Sequence, residues 1–267
     1  MSCPQSRAVV AAVLLVGLAL SSACSRNKNV VPTGILEGDK YLMERATELA
    51  AKKKWFQARE YYRELVDNYP QSNYRPDAKL GLGDTYLGEK SPESLVMAQN
   101  EFREFLTFYP TNSRADYAQY KLGLAHHEQM RAPQRDQTET REAIREFEVF
   151  LQTYPNSQLV GEVRAKLREA KDRLGESDYR VGLFYFRAKW YPGAIDRFKN
   201  LLERDPEYTF RDAVYFHLGE SLLRMNLPAE ALPYFERLVA EFEQSEYLVE
   251  ARRRIDELKT DHDRHTF

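Results

Sequence analysis

The sequence predicts an all-α, superhelical solenoid of five helix pairs with a C-terminal capping helix. Three observations carry this expectation. A five-point apolar motif recurs five times at helical spacing. Each copy is preceded by a second amphipathic stretch marked by a small residue. Gly and Pro number only 12 each in 267 residues, too few for a many-turned all-β fold.

The motif is Ala, an aromatic four residues on, Leu or Phe at seven, an aromatic at eleven and Pro at twelve. Its copies are Ala58-Tyr62-Leu65-Tyr69-Pro70, Ala98-Phe102-Phe105-Tyr109-Pro110, Ala143-Phe147-Phe150-Tyr154-Pro155, Ala194-Phe198-Leu201-Asp205-Pro206 and Ala231-Phe235-Leu238-Phe242-Glu243. The first four points share one face of an α-helix. Proline disfavours the helical region for the residue before it, so each helix should stop there.

The upstream helices carry Leu82-Gly83, Leu122-Gly123, Val181-Gly182 and Leu218-Gly219, with Arg45-Ala46 in the first repeat. A helix-interior Gly costs about 1 kcal/mol relative to Ala. Close approach of the partner helix, through its small Ala, is the expected return. This is the tetratricopeptide pattern. Extra residues in repeats two (EKSPES) and three (RAPQRDQTE) should be loop extensions at the tips of the helix pairs. Ser113 with Asp116 three residues later looks like a capping box.

Repeats one to three should occupy residues 39–157. Residues 158–259 should hold a long bridging helix, repeats four and five, and a cap. The apolar positions Val160, Val163, Leu167, Ala170, Leu174, Val181 and Tyr185 predict one helix from Val160 to Arg187, with Gly175 as a candidate kink. Tyr247 to Lys259 is amphipathic and charged, as a solubilising cap requires. Residues 260–267 read as a disordered tail.

Residues 1–23 read as a signal peptide: Arg7, an apolar run from Ala8 to Leu20, then Ser21, Ser22 and Ala23. Cys24 follows, and Cys3 falls in the discarded part, so Cys24 has no partner for a disulfide. The spacing resembles a bacterial lipobox, in which the cysteine is acylated, although Ser21 stands where Leu is usual. Ordinary cleavage nearby is the alternative. Each buried methylene of an acyl chain contributes about 0.8 kcal/mol to anchoring. The residue after Cys24 is Ser25 and not Asp, and the resemblance to proteobacterial lipoproteins implies sorting to the outer membrane. Residues 24–38 form a lipidated tether without periodicity.

Chemistry is hard to find. The net charge of −2 and the absence of a basic excess point away from nucleic acid. No glycine-rich phosphate loop or nucleophile elbow occurs. His126 and His127 are adjacent and should point in different directions, and His262 and His265 sit near a terminus. No catalytic residue, metal site or cofactor is expected. The first helices of such arrays line a concave groove. Positions counted from the Gly place Asp77, Leu80, Asp84 and Leu87 there in repeat two, and Tyr117, Tyr120, Leu124 and His127 in repeat three. Repeat four contributes Glu176, Tyr179, Leu183 and Phe186, and repeat five Ala213, Phe216, Glu220 and Leu223. Tyr117, Tyr120, Tyr179, Phe186 and Phe216 are therefore peptide-groove candidates. Packing of these rings against the long helix or a neighbouring repeat is the competing reading.

The stretch DRLGESDYRVGLFYFRAKWYPGAIDRF, Asp172 to Phe198, together with the lipobox-like start and the five repeats, resembles the BamD (YfiO) family of outer-membrane β-barrel assembly lipoproteins. Lys189-Trp190 stands where that family usually has Gly before an aromatic. The resemblance implies a lipid-anchored protein facing the periplasm. Its N-terminal repeats would receive the aromatic-ended C-termini of unfolded outer-membrane proteins. Its C-terminal repeats would dock on the periplasmic domains of the barrel subunit, alongside other assembly lipoproteins. The family's charged docking contact corresponds to Arg211-Asp212. A cation at a helix N-terminus opposes the macrodipole; a partner carboxylate or plain solvent exposure would each account for it. A different periplasmic scaffold lipoprotein, in envelope biogenesis or division, is the alternative function.

Overall fold

The protein is described from a computed structural model covering residues 37–265. Residues 1–23, Cys24 and nearly all of the tether lie outside the described residues. Eleven helices and no strand occur among them: α1 Gly38–Ala51, α2 Trp55–Asn68, α3 Arg75–Glu89, α4 Pro92–Phe108, α5 Ala115–His127, α6 Thr138–Thr153, α7 Val160–Arg187, α8 Tyr191–Arg204, α9 Arg211–Arg224, α10 Pro228–Glu241 and α11 Leu248–His265. These form five pairs, α1/α2 through α9/α10, followed by α11 as the cap. None is long and apolar enough to cross a membrane.

Each helix packs on its neighbours in sequence, and the first helices of successive pairs also touch, α1 to α3, α3 to α5, α5 to α7 and α7 to α9. No comparable contact joins successive second helices among the described residues. First helices therefore stand closer together than second helices, and the array curves toward them. Their free residues line its concave face.

The motif faces build the core. Ala58, Ala98, Ala143, Ala194 and Ala231 are fully buried, as are Phe102, Phe147, Phe198 and Phe235. The upstream glycines serve these rings. A β-carbon would lie 2.7 Å from the Phe102 ring at Gly83, 2.6 Å from Phe147 at Gly123, 2.5 Å from Phe198 at Gly182 and 2.6 Å from Phe235 at Gly219. The slot thus receives the aromatic of the motif, and not its Ala as the sequence suggested.

The second helices stop in one way. The backbone N–H of Tyr69, Tyr109, Tyr154, Asp205 and Phe242 returns to the carbonyl four residues earlier. Phe242, followed by Glu243 instead of Pro, has φ −133° and ψ 73°, close to Asp205 before its proline at φ −136° and ψ 79°. Proline suits this turn but does not make it. Asp205 departs from the motif because it pairs with Arg168 of α7 through two guanidinium nitrogens.

α7 is continuous over 28 residues, as expected. Its first half supplies Val163 and Ala170 to the core shared with α5 and α6, and its second half brings Tyr179, Tyr185 and Phe186 onto the core of α8 to α11. Gly175 lies against the Tyr208 ring, where a β-carbon would be 2.6 Å away.

Other expectations need correction. The insertion in repeat two does not extend a loop. It lengthens α4 to 17 residues against 14 in α2 and leaves only Lys90 and Ser91 between helices. Ser91 caps α4 by accepting the N–H of Ser94 at 3.1 Å, so the added residues are stable as helix. The insertion in repeat three does extend a loop, as expected, in the connector of residues 128–137. Ser113 and Asp116 form no capping box: Arg114 precedes α5 without a side-chain cap, and Asp116 instead accepts the Ser157 hydroxyl at 2.6 Å. α11 runs to His265, past the boundary placed at Lys259.

Candidate binding face

The concave face differs between the two halves. In repeat three, Tyr117 is half-buried and donates its hydroxyl to both oxygens of Asp84, at 2.9 and 2.8 Å. Burial pushes Asp84 above the usual carboxylate range, with the Lys121 charge opposing, and burial beside that carboxylate pushes the Tyr117 phenol well up. Two cations flank the Tyr117 ring, Arg114 at 4.8 Å and Lys121 at 5.1 Å from its centroid. Arg114 also pairs with Asp77 at 2.9 Å and Lys121 approaches Asp84 at 3.8 Å. This is a ring set among fixed charges, between the first helices of repeats two and three. Leu80 and Leu87, placed on the same face from the sequence, are instead buried.

Tyr120 is only 4% exposed and packs into the core beside Phe147. Its hydroxyl reaches Glu162 of α7. His126 and His127 diverge as expected, His126 toward Glu139 and His127 toward Glu169 at 3.1 Å. Burial holds His127 below the ordinary histidine range.

In the C-terminal half the predicted groove aromatics meet one another. His217 sits at their centre, with the rings of Tyr179, Phe186, Phe216 and Tyr247 between 5.3 and 5.8 Å from its own. Its Nδ1 donates to the Ala213 carbonyl at 2.8 Å, and burial lowers its pKa. Phe216 stacks on Tyr247 at 4.7 Å, and Arg254 of the cap clamps Glu220 at 2.6 and 3.2 Å. The cap therefore covers the groove positions of repeat five.

What stays open is a cleft of 340 Å³ between α7 and the turn before α9, lined by Glu176, Tyr179, Arg180, Leu183, Tyr208 and Phe210. Glu176, Tyr179 and Leu183 were placed on the concave face from the sequence. Tyr208 and Phe210 were not, because they lie in a turn outside the helical period. Phe210 is 54% exposed, and an aromatic beside a helix start with no motif role was the available signal.

Arg211 and Asp212 adjoin this cleft and both have partners within the chain. Arg211 donates to the Tyr208 carbonyl at 2.6 Å, faces Glu241 at 3.7 Å and lies over the Phe242 ring. The Glu241 carboxylate and the Phe242 face offset its unfavourable place at a helix N-terminus. Asp212 accepts the Ser245 hydroxyl at 2.6 Å.

Residues 37–231 match the family model described as YfiO, outer membrane lipoprotein. The chain belongs to this family. Relatives named outer membrane protein assembly factor BamD include that of Caulobacter vibrioides, 27% identical over 84% of this chain and 72% of its own, and that of Xylella fastidiosa strain 9a5c, 26% identical over 80% and 78%. The Vibrio cholerae relative is 27% identical over 72% of this chain and 82% of its own. Among solved structures, the TPR2AB domain of yeast Sti1 aligns at 12% identity over 85% of each chain with a TM-score of 0.48. The match spans repeats one to four and the first helix of repeat five. Lys189, before the start of α8, has a left-handed backbone at φ 60°.

Proposed function

We propose that this chain is a non-catalytic, lipid-anchored subunit of the outer-membrane β-barrel assembly machinery. It is held at the periplasmic face of the outer membrane through Cys24. It binds unfolded outer-membrane proteins by their aromatic-ended C-termini and docks on the barrel subunit, alongside other assembly lipoproteins.

The observation that carries the binding reading is Tyr117 with its two cations. A peptide ending in an aromatic residue offers a ring and a terminal carboxylate together, and Arg114 and Lys121 supply charge beside an aromatic face. The exposed Phe210, beside a cleft large enough for one or two side chains, supports docking of a second protein at the other end. Arg211 and Asp212 then act by holding that turn in place.

Peptide binding is tested by fluorescence anisotropy with a Phe-ended peptide bearing a free or an amidated C-terminus. The free acid should bind more tightly, and Arg114→Ala with Lys121→Ala should abolish the difference. Equal binding of the two peptides would remove this site from consideration. Docking is tested by pull-down from detergent-solubilised membranes. Phe210→Ser and Arg211→Glu should each reduce recovery of a large barrel protein with periplasmic domains. Recovery of a division scaffold in its place would favour the alternative function.

A further inference from the structure

His126 has one ring nitrogen to spare. The residue is 5% exposed. Its Nδ1 lies 2.8 Å from the Glu139 carboxylate. Gln99 Nε2 is 3.0 Å from that nitrogen and 3.4 Å from the same carboxylate oxygen, so both nitrogens are placed to donate to Glu139. A carboxylate can only accept, which puts a proton on Nδ1 and leaves Nε2 as the nitrogen able to ligate a metal. Nε2 is buried without a hydrogen-bond partner.

Two carboxylates complete the picture. Glu142 and Glu146 stand one helical turn apart on α6, and one oxygen of each lies with a ring nitrogen of His126 inside a sphere of approach where all three are within 4.8 Å of one another. Ligand atoms around a tetrahedral zinc ion are roughly 3.4 Å apart, so about 1 Å of side-chain rotation closes the set. Gln119 orients Glu146 by donating to it at 2.8 Å. Arg145 bridges the two carboxylates, at 2.5 Å from Glu142 and 2.7 Å from Glu146, and its own side chain is 59% exposed. It can swing into solvent and yield its place to a stronger cation.

We propose that repeat three binds a divalent transition-metal ion of zinc's class through His126 Nε2, Glu142 and Glu146. Water fills the remaining position. Glu139 is the positioning residue that fixes the histidine tautomer, the arrangement common to metal-bound imidazoles. Imidazole with carboxylate donors suits zinc or cobalt over magnesium or calcium. The ion ties α5 to α6 beside the 128–137 connector, the longest link between paired helices. It revises the absence of metal expected from the sequence.

The test is calorimetric titration of the full chain with Zn²⁺, followed by Co²⁺ spectroscopy, in a background where His262 and His265 are Ala. One equivalent should bind, with Co²⁺ bands of an oxygen–nitrogen site. His126→Gln and Glu142→Gln should each weaken binding at least tenfold, and Glu139→Gln by about 10-fold to 100-fold. Arg145→Gln should tighten it, because a competing cation is gone. Zn²⁺ should raise the melting temperature of the reference protein and not of His126→Gln. Absence of saturable binding in the reference protein, or unchanged affinity in both His126→Gln and the half-exposed Glu142→Gln, would overturn the proposal.

Discussion

The Ser245 hydroxyl donates to the Asp212 carboxylate at 2.6 Å across 33 residues of chain. The same bond joins Ser72 to Asp39 and Ser157 to Asp116, each at 2.6 Å, and Thr209 to Asp172 at 2.7 Å. For Asp39, Asp116 and Asp212 the first turn of one pair's leading helix is tied to the turn that ends that pair, and in repeat four Asp172 plays the same part from midway along the longer α7. This is a lock repeated along the solenoid, and it explains why Ser or Thr follows the helix stop. Hydrogen bonds to charged groups contribute roughly 1.5–3 kcal/mol. Asp212→Ala should therefore lower stability by about 2 kcal/mol in chemical denaturation, and Ser245→Ala by a similar amount. Because these locks are partly exposed, the lower end of that range applies. A loss under about 0.5 kcal/mol for both would show that the bond is incidental.

Among the described residues, four non-glycine residues have left-handed backbones: Lys53 at φ 56°, Lys90 at 60°, Lys189 at 60° and Asn226 at 58°. All four lie between the two helices of a pair. Repeat three, with its longer connector, has none among the described residues. A lysine in this region costs roughly 1–2 kcal/mol, from which the greater chain entropy of Gly must be deducted. Lys189→Gly should stabilise the protein by about 0.5–1 kcal/mol, and Asn226→Gly by less, since Asn tolerates the conformation. Thermal melts of the two variants would check the order.

Ala is the better helix former by about 1 kcal/mol, yet Gly123→Ala should destabilise. The new β-carbon would meet the Phe147 ring at 2.6 Å, and Phe147 is fully buried with little room to move. Overpacking of this kind costs roughly 1–3 kcal/mol. Gly161→Ala, where nothing lies within 4 Å, is the control and should stabilise. Stabilisation by both substitutions would mean that the slot is slack.

His217 makes the C-terminal half sensitive to acid. Burial lowers its pKa below the ordinary 6.5. The folded state therefore binds fewer protons than the unfolded state through that window, and stability falls as pH drops below about 6.5. Thermal unfolding between pH 7.5 and 5.5 should show the decline, and His217→Gln should reduce its slope. A slope unaltered in the variant would assign the effect elsewhere, with His127, also lowered by burial, as the next group to replace.

Much of this architecture was readable from spacing alone. Ala58, Phe102, Phe147 and Phe235 recur at positions set by the helical period, and burial of one face is a local consequence of that period. Five pairs, the unbroken α7 and the cap follow from the same rule. The period could not say which groups on the opposite face are free. Tyr117 and Tyr120 are three residues apart on one helix, yet Tyr117 borders the open face while Tyr120 is core. Phe216 is taken by Tyr247 and Glu220 by Arg254, because the cap folds over repeat five. Phe210 and Tyr208 enter the cleft from a turn, which has no period to read. The Ser–Asp locks and the grouping of His126 with Glu142 and Glu146 likewise join residues that only adjacent packing brings together. Sequence by itself determined which face of each helix is apolar, since that depends on neighbours three and four residues away. Tertiary structure decided which groups on the concave face stay open, since that depends on which of the remaining side chains the next helix happens to cover.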